Sequence, residues 1–365
     1  MTGMIIRPRQ QLNWELSSLN PTASPVTVPE PSIFSLPSYA GFLSEADLFP
    51  ESDLLNVGNT RPPQNLRPFQ GSELERTYLT YFAAGDLHTY WHGTKVRVEG
   101  GTTHPAQLEL MRDLFGGHAK PIFGAKLTPT GQHSVRATFD LSPSFDFLLE
   151  KPRRIDRLVL REDGLFYSAL SGFSDAEGHV GLRKSHGRAY AQYSASNRKY
   201  HLMRDFARGL VSREHNAGLY ALHAKKIQWH MEVTGTHALK LLPHIGFRHR
   251  EKIRARQIAM VHNGDLWRNA GLVYSAHRQA IKVERSALEE IAARRFDARH
   301  DRRRTKNEIF RQKVESTFEL FAKGLGVEDV AQRLNFSVRT AYRRKEKFHE
   351  SKAGSRESSP KSTHP

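Results

Sequence analysis

The feature that most constrains the fold of this chain is an internal repeat. The tetrapeptide Leu-Met-Arg-Asp occurs twice, at Leu110–Asp113 and at Leu202–Asp205. At nearly the same distance upstream of each copy, a helical pattern ends at an acidic residue. This residue is Asp86 in the first copy and Glu177 in the second. Coincidence rarely matches a tetrapeptide, an acid and the order of helices and strands together. The sequence therefore predicts two structurally equivalent halves.

Within each half, the hydrophobic period alternates between about 3.6 and 2 residues. This predicts a helix that ends at the acid, two strands, a second helix, one further strand and a short helix. Ser72 and Glu75 form a capping-box pattern at the start of the first helix. The predicted segments are 72–85, 94–101, 105–117, 133–139 and 144–151 in the first half, and 165–178, 179–184, 188–195, 199–210, 227–233 and 236–245 in the second.

Small residues near both acids predict that the two acid-bearing helices cross closely, which would bring Asp86 and Glu177 side by side. Magnesium binds one or two carboxylates and keeps positions for water and phosphate oxygens. A carboxylate pair that faces phosphates is therefore suited to Mg²⁺ or Mn²⁺ and to phosphodiester cleavage. The small residues are Ala83, Ala84 and Gly85 in the first copy, and Ser171, Gly172, Ser174 and Ala176 in the second.

The charge balance predicts a polyanionic partner. The chain has 55 Lys and Arg against 38 Asp and Glu, a formal net charge of +17. It has no apolar run of ~18 residues, so we expect no membrane partner, which leaves nucleic acid as the best match for the charge. The absence of cysteine excludes disulfides, Cys-ligated zinc and thiol nucleophiles. We expect a cytoplasmic, nucleoid-associated protein that binds double-stranded DNA.

Strand alternation predicts which side chains contact DNA. Arginine and glutamine suit the edges of guanine and adenine, although contact with phosphate or water alone is the alternative for many of these residues. The candidates are Tyr90, His92, Lys95, Arg97 and Arg136 in the first half, and Arg183, Ser185, Arg188, Tyr190 and Gln192 in the second.

Basic residues that follow each half are candidates for assisting the acids. Lys151 follows the first half, and His249 and Lys252 follow the second. Each could polarise a scissile phosphate or position water. The alternative for each is a cation that contacts phosphate or is merely solvated.

The C-terminal region has the pattern of a helix-turn-helix. Residues 327–334 predict a helix, 335–337 a turn and 338–348 a recognition helix. Asn335 suits a left-handed turn, and Ser337 suits a helix cap. An ordinary helical hairpin is the alternative. The predicted core positions are Val330, Leu334, Phe336 and Ala341, and the exposed residues predicted to face DNA are Arg339, Thr340, Arg343 and Arg344.

The acid-bearing segments also resemble a known motif. Residues 170–178, Leu-Ser-Gly-Phe-Ser-Asp-Ala-Glu-Gly, resemble a LAGLIDADG motif, and residues 79–87 resemble a degenerate first copy. Over residues 72–257 the chain is similar to single-chain, two-motif LAGLIDADG homing endonucleases, in particular archaeal ones. The resemblance implies an α/β (α+β) fold in which two pseudo-symmetric half-domains form a β-saddle over DNA. It also implies that Asp86 and Glu177 bind the divalent metal, and that both strands are cut with short 3′ overhangs.

Two departures from the motif carry expectations of their own. Tyr81 stands where the second copy has Gly172, which predicts a looser or shifted helix crossing. Leu87 stands where the second copy has Gly178, so the turn after Asp86 lacks a conformationally permissive residue.

The domain organisation follows from these patterns. The N-terminal segment holds more than half of the chain's 18 prolines and shows no persistent period, which predicts disorder. The predicted domains are a leader at 1–70, two halves at 71–157 and 158–262, a basic helical linker at 263–305, an all-α helix-turn-helix domain at 306–350 and a disordered tail at 351–365.

Three functions fit this organisation. The first is a site-specific, metal-dependent DNA endonuclease of the intron-encoded type, which the intact acids favour. The second is a non-catalytic DNA-binding regulator, favoured by the degenerate first motif and the added helix-turn-helix. The third is a maturase that binds intron RNA, which no residue pattern selects. Because one chain carries both halves, we expect a monomer on DNA.

Overall fold

The computed structural model describes residues 66–222 and 228–357, with side chains as far as residue 350. Most of the predicted leader (1–65) and the end of the predicted tail (358–365) lie outside the described residues. The described residues form a mixed α/β structure with two antiparallel sheets. None of their helices is long and apolar enough to cross a membrane.

The two halves repeat one order of elements. The first half consists of α1 (Glu73–Gly85), β1 (His88–His92), β2 (Lys95–Thr102), α2 (Pro105–Phe115), β3 (Ile122–Leu127), β4 (His133–Leu141) and a 3-10 turn at Pro143–Leu148. After the short α3 (Arg157–Arg161), the second half consists of α4 (Asp163–Glu177), β5 (Gly178–Ser185), β6 (Arg188–Asn197), α5 (Tyr200–Val211), β7 (Gly218–Ala221), β8 (Trp229–Thr234), α6 (Gly235–Leu241) and a 3-10 turn at Leu242–His244.

The sheets have equivalent strand orders, β1-β2-β4-β3 and β5-β6-β8-β7, which confirms the predicted repeat. The predicted element order was wrong in one respect, because each half has one strand more than the residue pattern indicated. Strand β3 contains Gly124 and has no buried residue, and β7 has only four residues. Neither strand therefore carries the strict alternation that marks a half-buried strand.

Each half has its own aromatic core between the sheet and the helices. Phe82, Phe115 and Phe139 are fully buried in the first half, and Phe166 and Phe206 are fully buried in the second. A buried aromatic side chain of this size contributes several kcal/mol, since truncation to alanine costs about 3–5 kcal/mol. These cores fix the C-terminal ends of α1 and α4, where the acids lie.

Helices α1 and α4 cross closely. A Cβ atom on Gly172 would overlap with the carbonyl oxygen of Tyr78, and one on Gly85 would lie 2.5 Å from the Cβ atom of Ala176. Tyr81 does not hold the helices apart, because its ring turns toward the second core and contacts Phe206 at 5.8 Å between centroids. The crossing is therefore close at Tyr78 and Gly172, and the Tyr81 side chain does not loosen it.

The second departure from the motif is Leu87 in place of a glycine that corresponds to Gly178, and the structure gives a different reason for that glycine from the one expected. Gly178 has φ −80° and ψ 153°, an extended conformation open to any residue. A side chain is excluded there because its Cβ atom would lie 2.6 Å from the carbonyl oxygen of Ser174. Leu87, by contrast, is buried in the first core. Glycine is thus needed at 178 for close approach rather than for a left-handed turn.

Two helices follow the second half, α7 (Arg250–Val261) and the 56-residue α8 (Trp267–Ala322). Helix α8 contributes Ala270 to the second core and Leu288 to the first. The guanidinium of Arg250 donates to Glu109 on α2 at 2.9 Å and to Glu284 on α8 at 3.0 Å. This ion-pair network ties α8 to the body of the protein. Helix α8 passes without a break through position 305, the predicted end of the linker.

The C-terminal cluster contains the end of α8, the short α9 (Val327–Arg333) and α10 (Val338–Glu357). The turn between α9 and α10 is as predicted: Asn335 is left-handed with φ 52°, and Ser337 Oγ accepts from Thr340 N at 3.3 Å. Helix α10 extends beyond residue 350, into the segment predicted as tail. The buried residues of this cluster are Phe321, Val327, Val330, Ala331, Ala341 and Phe348.

Candidate active site

The crossing of α1 and α4 brings the two predicted acids together. Asp86 immediately follows α1, and Glu177 is the last residue of α4. The Glu177 carboxylate lies against the end of α1, since a Cβ atom on Gly85 would be 3.5 Å from Glu177 Oε1. The sequence repeat therefore translates into a local pair of carboxylates at the C-terminal ends of two packed helices.

Neutral amides hold both carboxylates. Gln107 Nε2 donates to Asp86 Oδ2 at 3.3 Å, and Asn197 Nδ2 donates to Glu177 Oε1 at 2.8 Å. Gln107 lies in the first turn of α2 and Asn197 ends β6. An amide orients a carboxylate without cancelling its charge, so the pair keeps its need for a proton or a cation.

The surroundings make both acids weaker than usual. Burial raises the pKa of Asp86, with nearby Lys252 acting in the opposite direction. Burial, and then repulsion from Asp86, raises the pKa of Glu177 to about 7. Two apposed carboxylates in a partly desolvated site cannot both ionise cheaply. Near neutral pH the pair therefore has affinity for a proton or a metal cation.

Three lysines surround this pair, and each caps backbone carbonyls. Lys151 Nζ donates to the carbonyl oxygen of Leu87, and Lys199 Nζ to that of Ala84 at 2.9 Å. Lys252 Nζ donates to the carbonyl oxygens of Ser174 at 2.7 Å and Asp175 at 2.6 Å. They occupy the negative ends of the helix dipoles of α1 and α4.

Burial lowers the pKa of all three ammonium groups. Lys151 and Lys252 were predicted to lie here, and Lys199 was missed. It lies just before α5, as His104 lies just before α2, and no local pattern places either residue beside the acids.

His249 lies close by but is buried. Its backbone N–H donates to Asp175 Oδ1 at 3.2 Å, and its Nδ1 has no hydrogen-bond partner among the described residues. Burial lowers the pKa of His249 well below its ordinary value. A neutral imidazole cannot supply the positive charge that we expected of this residue.

Asp175, which the sequence did not single out, is structural. It is fully buried and accepts hydrogen bonds from Tyr78 Oη at 2.7 Å and from the backbone N–H of Arg248 at 2.7 Å. The Arg248 guanidinium in turn forms a bidentate pair with Glu75 at 2.6 and 2.7 Å. These contacts join α1, α4 and the start of α7.

A cleft of about 1240 Å³ opens beside Asp86. Its walls are the end of β2, strand β5, the first turn of α7 and the N-terminal part of α8. The lining includes four Lys and Arg residues, Lys252 on α7 and Arg278, Lys282 and Arg285 on α8, beside the acids Asp86, Glu251 and Glu289. Helix α8 thus contributes cations to the surroundings of the acid pair.

The predicted DNA-contacting residues of the strands share the face of each sheet that lies opposite the core. Tyr90 pairs with Arg97 and Arg183 with Tyr190 in the antiparallel registers, and cross-strand partners point to the same face. We call these the polar faces: Tyr90, His92, Lys95, Arg97, Glu99, Arg136 and Asp140 on the first sheet, and Arg183, Ser185, Arg188, Tyr190, Gln192 and Glu232 on the second.

Acidic residues on the polar faces were missed by the sequence reasoning. Arg97 forms a bidentate pair with Asp140 at 2.6 and 2.9 Å. On the second sheet, Glu232 accepts from Arg183 at 3.0 Å and from Gln192 at 2.6 Å. These carboxylates orient the basic side chains and offset part of their charge. The sequence could have revealed these acids, because strand alternation places them on the same face of each sheet as the basic residues.

The C-terminal candidates divide into two groups. Arg339 and Arg343 are exposed, whereas Thr340 is half-buried. The prediction for Arg344 was wrong: it is buried and donates to the carbonyl oxygen of Lys313 at 3.1 Å and to Thr317 Oγ1 at 3.0 Å. Position 344 lies three residues after the buried Ala341, so it shares the helix face that packs on α8.

No family model and no curated protein matches this sequence. Among solved structures, it is similar to I-DmoI in complex with DNA and Mn (13% identity over 47% of this chain and 96% of that chain, TM-score 0.34). It is also similar to I-WcaI, a homing endonuclease, bound to its DNA recognition sequence (13%, 53% and 90%, TM-score 0.35). A third similar structure is full-length DUF199/WhiA from Thermatoga maritima (14%, 77% and 92%, TM-score 0.37).

Proposed function

We propose that this protein is a site-specific endonuclease for double-stranded DNA that uses a divalent metal ion, Mg²⁺ or Mn²⁺. The observation that carries the proposal is the convergence of Asp86 and Glu177 at the crossing of α1 and α4. Burial and mutual repulsion raise the pKa of Glu177 to about 7. Holding two carboxylates together in this way is costly for the fold, and a bound dication relieves the cost.

The side chains present fit a hard cation. Among the described residues, no group of three or more His, Asp or Glu side chains is arranged to hold a metal. A site of two carboxylates suits Mg²⁺ because this ion keeps several waters and takes phosphate oxygens of the substrate as further ligands. When bound by Asp86 and Glu177, the ion would stabilise the charge that develops on the scissile phosphodiester.

The other side chains at the site have separate tasks. Gln107 and Asn197 orient the two carboxylates through the hydrogen bonds described above. Lys151, Lys199 and Lys252 place positive charge beside the position of the phosphate. Such preorganised charge stabilises a phosphoryl-transfer transition state most strongly where water is excluded. We assign a positioning role, through Asp175, to the buried His249.

DNA binding involves two surfaces in this proposal. The polar faces form a saddle whose Arg, Gln and Tyr side chains read the major groove. Helices α9 and α10 act as a helix-turn-helix, with the exposed Arg339 and Arg343 toward the DNA. The halves act as the domains 71–157 and 158–262, and the protein binds as a monomer because one chain carries both.

A second candidate is a DNA-binding regulator that does not cleave. The arrangement of lysines favours it, because three nearby ammonium groups offset part of the charge of the acid pair without any metal. The carboxylates of Asp140 and Glu232 also weaken the positive potential of the polar faces. Both candidates require double-stranded DNA, and they differ only in whether a phosphodiester bond is broken.

Cleavage of a randomised double-stranded DNA library in Mg²⁺ or Mn²⁺ separates the two candidates. We expect the wild-type protein to cut selected sequences and the isosteric double variant Asp86→Asn/Glu177→Gln to bind but not cut. The control variant is Asp113→Asn, whose exposed carboxylate does not line the cleft. Selective binding without cutting by wild type and control alike would refute the endonuclease. Complete displacement by intron-like RNA would favour the maturase.

A further inference from the structure

The middle of α8 does not pack against any other element of the described part of the chain. Every residue from 297 to 307 is exposed. Both flanks are packed: Ala292 is fully buried in the first core, and Thr317 is fully buried beside α10. A helix that is polar on all sides persists in proteins chiefly where it bridges two packed modules. The exposed stretch therefore connects the two halves to the C-terminal cluster.

Four of the five cations in this stretch share one side of the helix. Arg299, Arg302, Arg303 and Lys306 stand at positions i, i+3, i+4 and i+7, so they form one stripe along the helix. At about 100° per residue, Asp297 and Asp301 fall on the opposite side, together with the fifth cation of the stretch, Arg304. We call these four cations the basic stripe. A solvated helix does not need four cations along one side, whereas a helix that lies along a polyanion is stabilised by such a stripe.

Both ends of α8 are fixed rather than hinged. At the near end, Arg250 ties Glu284 to Glu109, and Arg285 donates to Thr103 Oγ1 at 3.1 Å. At the far end, the buried Arg344 donates to Lys313 and Thr317, as described above. Residues 272–322 contain no glycine or proline, the usual causes of a helix kink.

We propose that α8 is a rigid spacer whose basic stripe lies along the phosphate backbone of double-stranded DNA and fixes the distance between two recognised DNA segments. Thr317 lies 25 residues after Ala292. At ~1.5 Å per residue this is about 37 Å, close to one turn of duplex DNA, ~34–36 Å or ~10–10.5 base pairs. The polar faces and α10 then engage the same side of the duplex, one turn apart.

The inference rests on the DNA binding proposed above, but not on cleavage. It predicts a bipartite target with one permitted spacing. A flexible linker would accept many spacings, because it can adjust its end-to-end distance. The two variants below separate the rigidity of α8 from its charge.

Ala298→Pro/Thr305→Pro interrupts the helix within the exposed stretch and keeps every cation. Arg302→Gln/Arg303→Gln keeps the helix, since glutamine has a similar helix propensity, and removes two charges of the stripe. Both changes lie in residues that contact neither core, so both variants should fold. Circular dichroism and thermal unfolding verify this for each.

The experiment begins with selection of binding sequences from a random DNA library with the full-length protein, followed by affinity measurements on duplexes in which the spacing between the two blocks varies. For wild type we expect a loss of about tenfold or more when ~5 base pairs, half a turn, are inserted. The proline variant should bind both spacings within about threefold. The glutamine variant should keep the spacing preference, bind all duplexes more weakly, and lose about two from its salt-dependence slope.

A single selected block, or two blocks at freely varying spacing for wild type, would overturn the spacer and leave DNA binding intact. An unchanged salt dependence in the glutamine variant would overturn the contact of the basic stripe with phosphates. Failure of wild type to bind any duplex would instead refute the proposed function itself.

Discussion

Replacing Glu177 by glutamine should stabilise the protein above neutral pH, although we propose that this residue binds the metal. Burial and repulsion from Asp86 raise the pKa of Glu177 from 4.5 to about 7. The folded state therefore binds the proton more tightly than the unfolded chain. The corresponding stability is fully present below pH 4.5 and is lost as pH rises through about 7.

The magnitude follows from this difference. Each pH unit between the folded and unfolded pKa is worth ~1.4 kcal/mol, so ionised Glu177 destabilises the fold by about 3 kcal/mol at pH 8. Glu177→Gln keeps the shape and the contact with Asn197 but carries no charge. We expect it to be more stable than wild type by up to about 3 kcal/mol at pH 8, and not at all at pH 4.5.

Urea unfolding in EDTA at pH 4.5, 6 and 8, followed by tryptophan fluorescence, measures the effect. Trp91, Trp229 and Trp267 report on the two halves and their flank, and residues 306–350 contain no tryptophan. Glu75→Gln is a control of opposite sign, because the hydrogen bond from Arg248 lowers the pKa of Glu75. It should lose stability at pH 8. Equal or lower stability of Glu177→Gln at pH 8 would refute the reasoning about the acid pair.

Two further predictions use matched pairs of residues. Gly172→Ala should lower the free energy of unfolding by about 1–3 kcal/mol, the range for overpacking. Gly164→Ala should not destabilise the protein, because its added Cβ atom would lie 3.5 Å from the nearest atom. Equal urea midpoints for the two variants would contradict the close crossing of α1 and α4. Arg343→Ala should weaken DNA binding without changing thermal stability. Arg344→Ala should cost about 1–3 kcal/mol, because it removes two hydrogen bonds from a buried guanidinium and its packing on the Phe336 ring. The reverse pattern in calorimetry and gel shift would refute their assigned positions.

Periodicity predicted the elements with strong patterns and failed where the pattern is weak. Strand β2 buries alternate residues such as Val96 and Val98, and in β4 apolar residues such as Val135 and Phe139 alternate with polar ones. Both strands were predicted near their observed bounds. Strand β3 has no buried residue, so nothing in its sequence separates it from a loop. The edge of a sheet is defined by its partner strand, and a local pattern does not contain that partner.

The acid pair was predictable because its residues are repeated in equivalent positions. Its environment was not, since Lys199 reaches Ala84 across 115 residues of sequence. For Arg344, the residue type itself led to a wrong prediction. Its charge suggested exposure, but the three-residue offset from Ala341 turns it toward α8, where a hydroxyl and a carbonyl satisfy its donors. Helical phase was the better guide than residue type at this position.

The presence of both sheets in one chain has a consequence for symmetry. A homodimer with one such sheet per subunit would present identical side chains twice and would be matched to a palindrome. Here the two polar faces differ, with His92 and Lys95 on one and Ser185 and Gln192 on the other. Each can change by mutation without altering its counterpart. Any sequence read by these faces is therefore free to be asymmetric, and its two halves can evolve independently.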